Sequence, residues 1–200
     1  DIPAFHSEWF MDRMREGCCT VVNPFNANQV SYVSLKPQDV QAIIFWTRNP
    51  KPIIKYLPEM DRKGYRYYFQ YTIIGYPKSI EPKSPRVDEA IKTFQELSGL
   101  IGKDRVIWRY DPILYSNETR LEWHIDQMSF LIKELKSYTK RLIISFIDPY
   151  RKTKIRMTRE TGSNFYLAPD AFEPSAYNEL IKWIGKEANS SGLEVQTCAE

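Results

Sequence analysis

The sequence has few of the residues on which several common kinds of protein depend. Three cysteines, two of them the adjacent Cys18 and Cys19, exclude a secreted disulfide framework and favour a reducing cytoplasm. The two histidines, His6 and His124, have no companion at metal-ligand spacing, and His124 is expected to be a capped or surface residue of its helix. No apolar run is long enough to span a membrane. A Gly-rich phosphate loop and a Gly-x-Ser-x-Gly elbow are also lacking.

A large excess of charge of one sign is missing as well. The formal net charge is +3, which argues against a protein that wraps nucleic acid. Hydrophobic residues make up 42% of the chain and aromatic residues 14%, as in a globular protein with a sizeable core. We therefore predict one globular domain over residues 1–200. Because the chain opens on Asp1 without a methionine and stops at Glu200 beside a strand pattern, we expect a portion of a longer protein.

An alternation of strand and helix patterns is the main feature that the sequence does contain. Strands are predicted at 42–47, 66–73, 105–111 and 141–147 and from Leu193 onward, and helices at 7–15, 52–62, 86–101 and 120–138 and from Pro174 to Gly192. Residues 18–35 form an irregular stretch with short extended pieces, and 149–172 form a long polar loop. Strands that alternate with helices pair in parallel through right-handed crossovers.

Polar residues follow the apolar start of almost every predicted strand. Arg109 and Asp111 are two positions apart, so on a strand they share one face while Trp108 and Tyr110 share the other. An open doubly wound sheet would concentrate polar groups at one switch point, whereas a barrel brings many strand ends to one mouth. We predict a partial TIM-like (β/α) barrel of about five to six parallel strands.

The candidate site residues are these polar groups at the strand ends. The catalytic candidates are Arg109, Asp111, Asp148, Cys198 and Glu200, and the cofactor-binding candidates are Thr47, Arg48, Asn49, Gln70, Thr72, Ser145 and Gln196. Burying Arg109 is costly unless it is paired, so we expect it beside Asp111 or a neighbouring carboxylate. That pair is either a structural ion pair that closes the top of the barrel or a site for a carboxylate or phosphate of a ligand. Asp111 and Asp148 each precede a proline, so either aspartate could instead serve to shape the loop that follows its strand. A single thiol such as Cys198 is more often inert than reactive.

A run of five cations in nine residues, 151–159, lies in the predicted polar loop. A solvated surface is the favoured interpretation of this run. Beside the mouth of a barrel it would also attract phosphate or nucleic acid.

Several short motifs, taken together, resemble an uncharacterised prokaryotic domain-of-unknown-function family. They are Asp1-Ile2-Pro3-Ala4-Phe5, Asn23-Pro24-Phe25-Asn26, Phe45-Trp46-Thr47-Arg48-Asn49-Pro50, Trp108-Arg109-Tyr110-Asp111-Pro112, Ser145-Phe146 with Asp148, and Thr197-Cys198-Ala199-Glu200. Longer members of that family carry, after this region, a cysteine cluster similar to the iron–sulfur motif of radical S-adenosylmethionine (SAM) enzymes.

The resemblance implies a partial barrel of the radical-SAM kind, with one strand lost before Asp1. It also implies a 4Fe–4S cluster and SAM as cofactors. The cluster ligands would lie outside these residues, because a cluster needs several thiolates and the cluster cysteines are absent here. Segment 155–172 does not match the family pattern.

The first functional hypothesis is the barrel portion of a radical-SAM-like enzyme of unknown substrate. In it, Arg48 or Arg109 would bind a carboxylate, and Cys198 would lie near the iron–sulfur cluster. A carboxylate at the end of a strand would accept hydrogen bonds from ribose hydroxyl or ammonium groups. The candidates for that last role are Asp111, Asp148 and Glu200.

Two other hypotheses come from different classes of protein. One is a divalent-metal-dependent hydrolase or lyase on a TIM-like barrel, with Asp111, Asp148 and Glu200 as oxygen ligands. The other is a nucleic-acid-binding module that uses the 151–159 run.

Overall fold

The computed structural model describes residues 1–147 and 166–198. The strands are β1 (Cys18–Asn23), β2 (Asn26–Ser34), β3 (Ile43–Thr47), β4 (Tyr67–Thr72), β5 (Val106–Ile113), β6 (Arg141–Phe146) and β7 (Glu194–Thr197). The helices are α1 (Ile2–Phe5), α2 (Ser7–Glu16), α3 (Lys51–Ile54), α4 (Leu57–Arg62), α5 (Val87–Ile101), α6 (Leu121–Leu135) and α7 (Asn178–Ser190), with a 3-10 turn at Pro174–Tyr177 before α7. The predicted α/β class is confirmed.

The main sheet has five parallel strands in the order β3-β4-β5-β6-β7. Each strand therefore lies beside the next one in the chain, without the reversal of order that defines a doubly wound sheet. Among the described residues this sheet is not closed, so the structure gives an open parallel sheet with flanking helices and leaves the barrel a prediction. The register between β5, β6 and β7 places Arg109, Ile143 and Gln196 side by side.

The chain divides into two compact units, residues 1–70 and residues 71–200, with the division inside β4. The prediction of one domain is not tested by this division. In the first unit, the ring of Phe45 on β3 lies 5.6 Å from that of Phe10 on α2 and 4.8 Å from that of Phe69 on β4. Gly17 ends α2 with a φ of 75°, which is a left-handed conformation that glycine adopts without strain.

Two predictions about the first unit are wrong. Residues 18–34 form an antiparallel hairpin of β1 and β2 with one shift of register beside the turn, not an irregular stretch with short extended pieces. The helix predicted at 52–62 is two short helices, α3 and α4, because Pro58 in the first turn of α4 lacks the N–H that a continuous helix requires.

In the second unit, α5 and α6 pack on one face of the sheet. The ring of Tyr71 on β4 stacks on Phe94 of α5 at 5.5 Å, and Tyr110 on β5 contacts His124 of α6. Alternation along β5 turns Arg109 and Asp111 to the other face. The rings of Trp108 and Tyr110 lie 6.1 Å apart, and Arg109 bonds to Asp111, so the predicted separation of the two pairs is confirmed.

Candidate functional site

The carboxyl end of β5 contains a bulge. Tyr110 pairs with Ile144 but Ile113 pairs with Phe146, so β5 has one more residue than β6 between these two pairs. The extra length falls at Asp111-Pro112, whose peptide bond is cis. Bulges redirect side chains at sheet ends and are frequent beside active sites. This bulge places Asp111 at the point where β5 leaves the ladder.

Arg109 and Asp111 form a buried ion pair. Only 3% of Arg109 and 8% of Asp111 is exposed. Arg109 Nε donates to Asp111 Oδ2 at 2.8 Å, and the Arg109 NH2 atom lies 2.5 Å from the same oxygen. Burial of two charges is tolerated only with a partner of opposite sign and good geometry. The expected pairing of this arginine is therefore confirmed. The site contains a buried guanidinium group and a buried carboxylate in direct contact.

Side chains from the two following strands extend this pair. Ser145 near the end of β6 donates its hydroxyl hydrogen to Asp111 Oδ1. Arg109 NH2 donates to the Sγ atom of Cys198, just after β7, at 3.2 Å. Parallel register explains the convergence. Ser145 lies two residues beyond Ile143, the partner of Arg109 on β6, and Cys198 lies two residues beyond Gln196, the partner of Ile143 on β7. We name Arg109, Asp111, Ser145 and Cys198 the charged cluster.

A pocket of about 430 Å³ opens beside the charged cluster. Ser145, Thr197 and Cys198 contribute polar atoms to its wall, and apolar groups, Phe146, Tyr177 and Ile181 among them, cover much of the remainder. Small-molecule sites have volumes of about 300–1,000 Å³ and combine an apolar wall with a few polar groups. The pocket therefore has the size and lining of a site for a small molecule.

Tyr177 fixes one wall of the pocket. Its hydroxyl donates to the carbonyl of Ala171 at 2.8 Å, and its ring lies 4.7 Å from Phe146 and 4.3 Å from Tyr115. Burial raises the pKa of Tyr177 to about 12, so the phenol stays neutral at ordinary pH. Sequence reasoning missed this residue because it assigned the polar strand ends and not the aromatic segment before α7. Aromatic residues around Pro174 were the available signal.

The opposite face of β5 carries a second buried polar group, without charge. Tyr110 Oη lies 2.8 Å from His124 Nδ1, and His124 Nε2 lies 3.0 Å from the carbonyl oxygen of Leu114. A carbonyl can only accept, so Nε2 carries the hydrogen and Nδ1 accepts from the tyrosine. Burial lowers the pKa of His124 to about 4. We name Tyr110, His124 and Leu114 the neutral network.

The expectation of a capped or surface position for His124 is therefore wrong. The side chain is completely buried on α6, between that helix and the end of β5. An imidazole can be buried in this way when both nitrogens have partners, and here a hydroxyl and a carbonyl supply them.

The predicted residues after β3 shape a turn in the first unit. Thr47 is buried, donates its hydroxyl to Asp1 Oδ2 at 2.8 Å and accepts from the backbone N–H of Asn49 at 3.0 Å. Asn49 accepts in turn from the N–H of Lys51 at 3.3 Å, at the start of α3. Arg48 is half-buried between them. These contacts give Thr47 and Asn49 a structural role at the end of β3.

Of the other candidates, the structure describes some and not others. Gln70 is half-buried in the first unit, and Thr72 is buried in the second. Gln196 donates to Glu194 on the same strand at 2.8 Å. Asp148, Glu200, the 151–159 run and most of segment 155–172 lie outside the described residues.

The described residues contain no group of three histidine, cysteine, aspartate or glutamate side chains placed to hold a metal ion. Asp111, the described member of the proposed oxygen-ligand set, already accepts from Arg109 and Ser145. Within the same part of the chain, no helix is long and apolar enough to cross a membrane. The metal-dependent and nucleic-acid hypotheses stay predictions.

Comparison with known families matches residues 1–200 to a family described as Domain of unknown function (DUF1848). The chain belongs to this family. No curated protein and no solved structure gives a significant match.

Proposed function

We propose that this member of the DUF1848 family forms the small-molecule site of a radical-SAM-like enzyme, on a sheet that is part of a (β/α) barrel. The site is the 430 Å³ pocket, whose wall includes Ser145 and Cys198 of the charged cluster. Strand order supports the proposal, because a barrel places successive strands side by side as β3 to β7 are placed here. Active sites of such folds lie at the carboxyl ends of the strands.

The observation that carries the proposal is the buried charge next to this pocket. A structural role alone would be served as well by apolar residues, which often replace a buried ion pair without loss of stability. Here the pair stands on the face opposite to α5 and α6, and two of its hydrogen-bond partners, Ser145 and Cys198, line the pocket. Charged and hydroxyl groups held in this way orient a polar ligand.

The pocket suits the chemistry of SAM in two respects. Phe146, which Tyr177 packs against, offers an apolar ring for contact with a purine, and Ser145 offers a hydroxyl for hydrogen bonds with ribose. The zwitterionic amino-acid part of SAM would lie against Ser145 and Cys198, the two pocket residues that are hydrogen-bonded to the buried Arg109–Asp111 pair.

The 4Fe–4S cluster implied by the family does not fit the residues of this chain. Such a cluster is bound by several thiolates, and the sequence has three cysteines, of which Cys18 and Cys19 are neighbours on β1 in the first unit. Cluster ligands would come from sequence outside these 200 residues. The role proposed for this chain is therefore ligand binding.

The test is calorimetric titration of the anaerobically purified full-length protein with SAM. We expect saturable binding at one site, weakened at least about tenfold by Ser145→Ala and unchanged by Ser190→Ala, an exposed serine on α7. Iron and acid-labile sulfide are measured on the same preparation, and 5′-deoxyadenosine after reduction. Iron, sulfide and 5′-deoxyadenosine would support the enzyme class. SAM binding without them would contradict the class and keep the site, and no binding would overturn the site.

A further inference from the structure

The β1–β2 hairpin differs from the rest of the chain in its surface. No charged residue occurs between Glu16 and Lys36, although charged residues make up 26% of the sequence. Large apolar side chains are nevertheless exposed along both strands and at the tip. They are Val21, Val22, Phe25, Val30, Tyr32 and Val33. Exposed apolar patches of this kind mark interaction sites on soluble proteins.

The base of the hairpin is fixed to the first unit. The Tyr65 hydroxyl donates to the carbonyl of Leu35 at 2.7 Å, and Ser34 Oγ donates to Asp39 Oδ2 at 2.5 Å. At the tip of the hairpin, by contrast, Phe25 is 97% exposed. The hairpin is thus an anchored arm with an apolar surface.

The pairing register divides the arm into two faces. Val22 lies opposite Val30, and Thr20 lies opposite Tyr32, so these side chains share one face, which we name the Val22 face. Val21 lies opposite Ser31 on the other face. The other face also carries Val33, opposite Cys19. The Val22 face has the larger exposed apolar surface, because Val22, Val30 and Tyr32 are each more than half exposed, whereas Val33 is 39% exposed.

We propose that the Val22 face is a dimer interface on which a second copy of this chain packs face to face. A surface without charge is complementary to itself, and a twofold dimer needs only one self-complementary patch. Val22, Phe25, Val30 and Tyr32 expose about 500 Å², a large part of the roughly 800 Å² that each partner gives to a standard interface. Their polar neighbours, such as Thr20, would form the rim.

A membrane surface is the less favoured occupant. Peripheral arms that bind anionic lipid combine apolar side chains with lysine or arginine, and this hairpin has neither cation. The absence of charge also leaves the hairpin edges without the lysines that usually prevent strand pairing. In the described part of the chain, β1 and β2 pair only with each other. An uncharged apolar face on a hairpin whose edges carry no lysine is typical of a surface that is covered in the working assembly.

The neighbouring residues Val22 and Val21 provide a matched pair of variants for the test. The two valines are 53% and 50% exposed and point to opposite faces of one strand. Sedimentation equilibrium of the full-length protein, over about a hundredfold range of concentration, should show a dimer for the wild type and for Val21→Lys. Val22→Lys should be monomeric or at least about tenfold weaker in association, because it would bury a charge at the interface. Circular dichroism confirms that each variant is folded.

Several results would overturn the proposal. A wild-type protein that stays monomeric at every concentration would do so, whether or not it binds phosphatidylserine vesicles. Equal association of Val22→Lys and wild type would contradict the face-to-face arrangement, and dissociation by Val21→Lys alone would assign the interface to the other face. The proposal does not depend on the function proposed for the pocket.

Discussion

The two faces of β5 bury polar side chains in different ways. On one face, Arg109 and Asp111 form an ion pair and bond to Cys198 and Ser145, respectively. On the other face, Tyr110 bonds to an uncharged histidine, and the histidine bonds to a backbone carbonyl. Arg109 and Asp111 on one side and Tyr110 and His124 on the other are almost completely buried. Consecutive residues of β5 therefore belong to different groups: Arg109 and Asp111 to the charged cluster, and Tyr110 between them to the neutral network.

The difference lies in where the hydrogen bonds lead. The neutral network ends on Leu114, a backbone acceptor that the fold must satisfy in any case, so its role is structural. The charged cluster ends on two side chains in the wall of a pocket. A buried charge is costly, and its position beside a pocket is the reason to assign it to ligand binding and not to stability. The predictions below test this distinction by breaking one face at a time.

Loss of Asp111 should have the largest effect on stability. Asp111→Ala leaves the Arg109 guanidinium buried without its carboxylate, and we expect the free energy of unfolding to fall by about 3–5 kcal/mol. Urea denaturation measures the change. The control is Asp170→Ala, which breaks the half-exposed pair with Arg120 and should cost less than about 1 kcal/mol. Equal effects of the two variants would show that Arg109 does not depend on Asp111.

Acid should destabilise the protein through the neutral network. The pKa of His124 is about 4 when folded against 6.5 as the ordinary value, so below about pH 6.5 the unfolded state binds a proton that the folded state does not. From about pH 7 down to about pH 4, the free energy of unfolding should therefore fall by about 3 kcal/mol from this residue.

The comparison that isolates this acid effect is His124→Gln. Glutamine keeps a donor and an acceptor but does not titrate, so other acid-sensitive groups contribute equally to both proteins. Denaturation at several pH values should give a smaller acid-dependent loss for the variant by the stated amount. Parallel pH curves would mean that His124 is not held neutral by burial.

Removal of the Tyr110 hydroxyl should have a smaller effect. Tyr110→Phe leaves His124 Nδ1 buried without its donor, and we expect a loss of about 1–2 kcal/mol. The control is Tyr166→Phe, because that residue is exposed. Thermal or urea denaturation compares the two. An unchanged stability for Tyr110→Phe would show that the network does not stabilise the fold.

Ser145→Ala should have the smallest effect on stability. The side chain is half-buried, and Asp111 keeps its bonds to Arg109 when the hydroxyl is removed. We expect a loss of about 1 kcal/mol by urea denaturation. A loss as large as that of Asp111→Ala would make Ser145 a structural residue.

The strands and their faces could be predicted because they depend on local pattern. Alternation in Val106–Pro112 was enough to place Arg109 with Asp111 and to separate them from Tyr110. Parallel order of the strands likewise follows from their alternation with helices. These features are set within a few residues of chain.

The remaining features depend on contacts between distant segments. Cys198 meets Arg109 across 89 positions, and Tyr177 meets Tyr115 across 62. His124 has an ordinary helical pattern around it, and only the carbonyl of Leu114 and the hydroxyl of Tyr110 reveal why it is buried. The hairpin was missed because its apolar residues are exposed, whereas a strand pattern predicts one buried face.

The most direct test of the account is the SAM affinity of Ser145→Ala and Tyr110→Phe, measured by calorimetry on the full-length protein at about pH 7. The account predicts opposite profiles. Ser145→Ala should bind SAM at least about tenfold more weakly with little change in stability, and Tyr110→Phe should bind like the wild type although it is less stable. Equal affinities, or a loss of affinity in Tyr110→Phe alone, would contradict the assignment of the charged cluster to ligand binding.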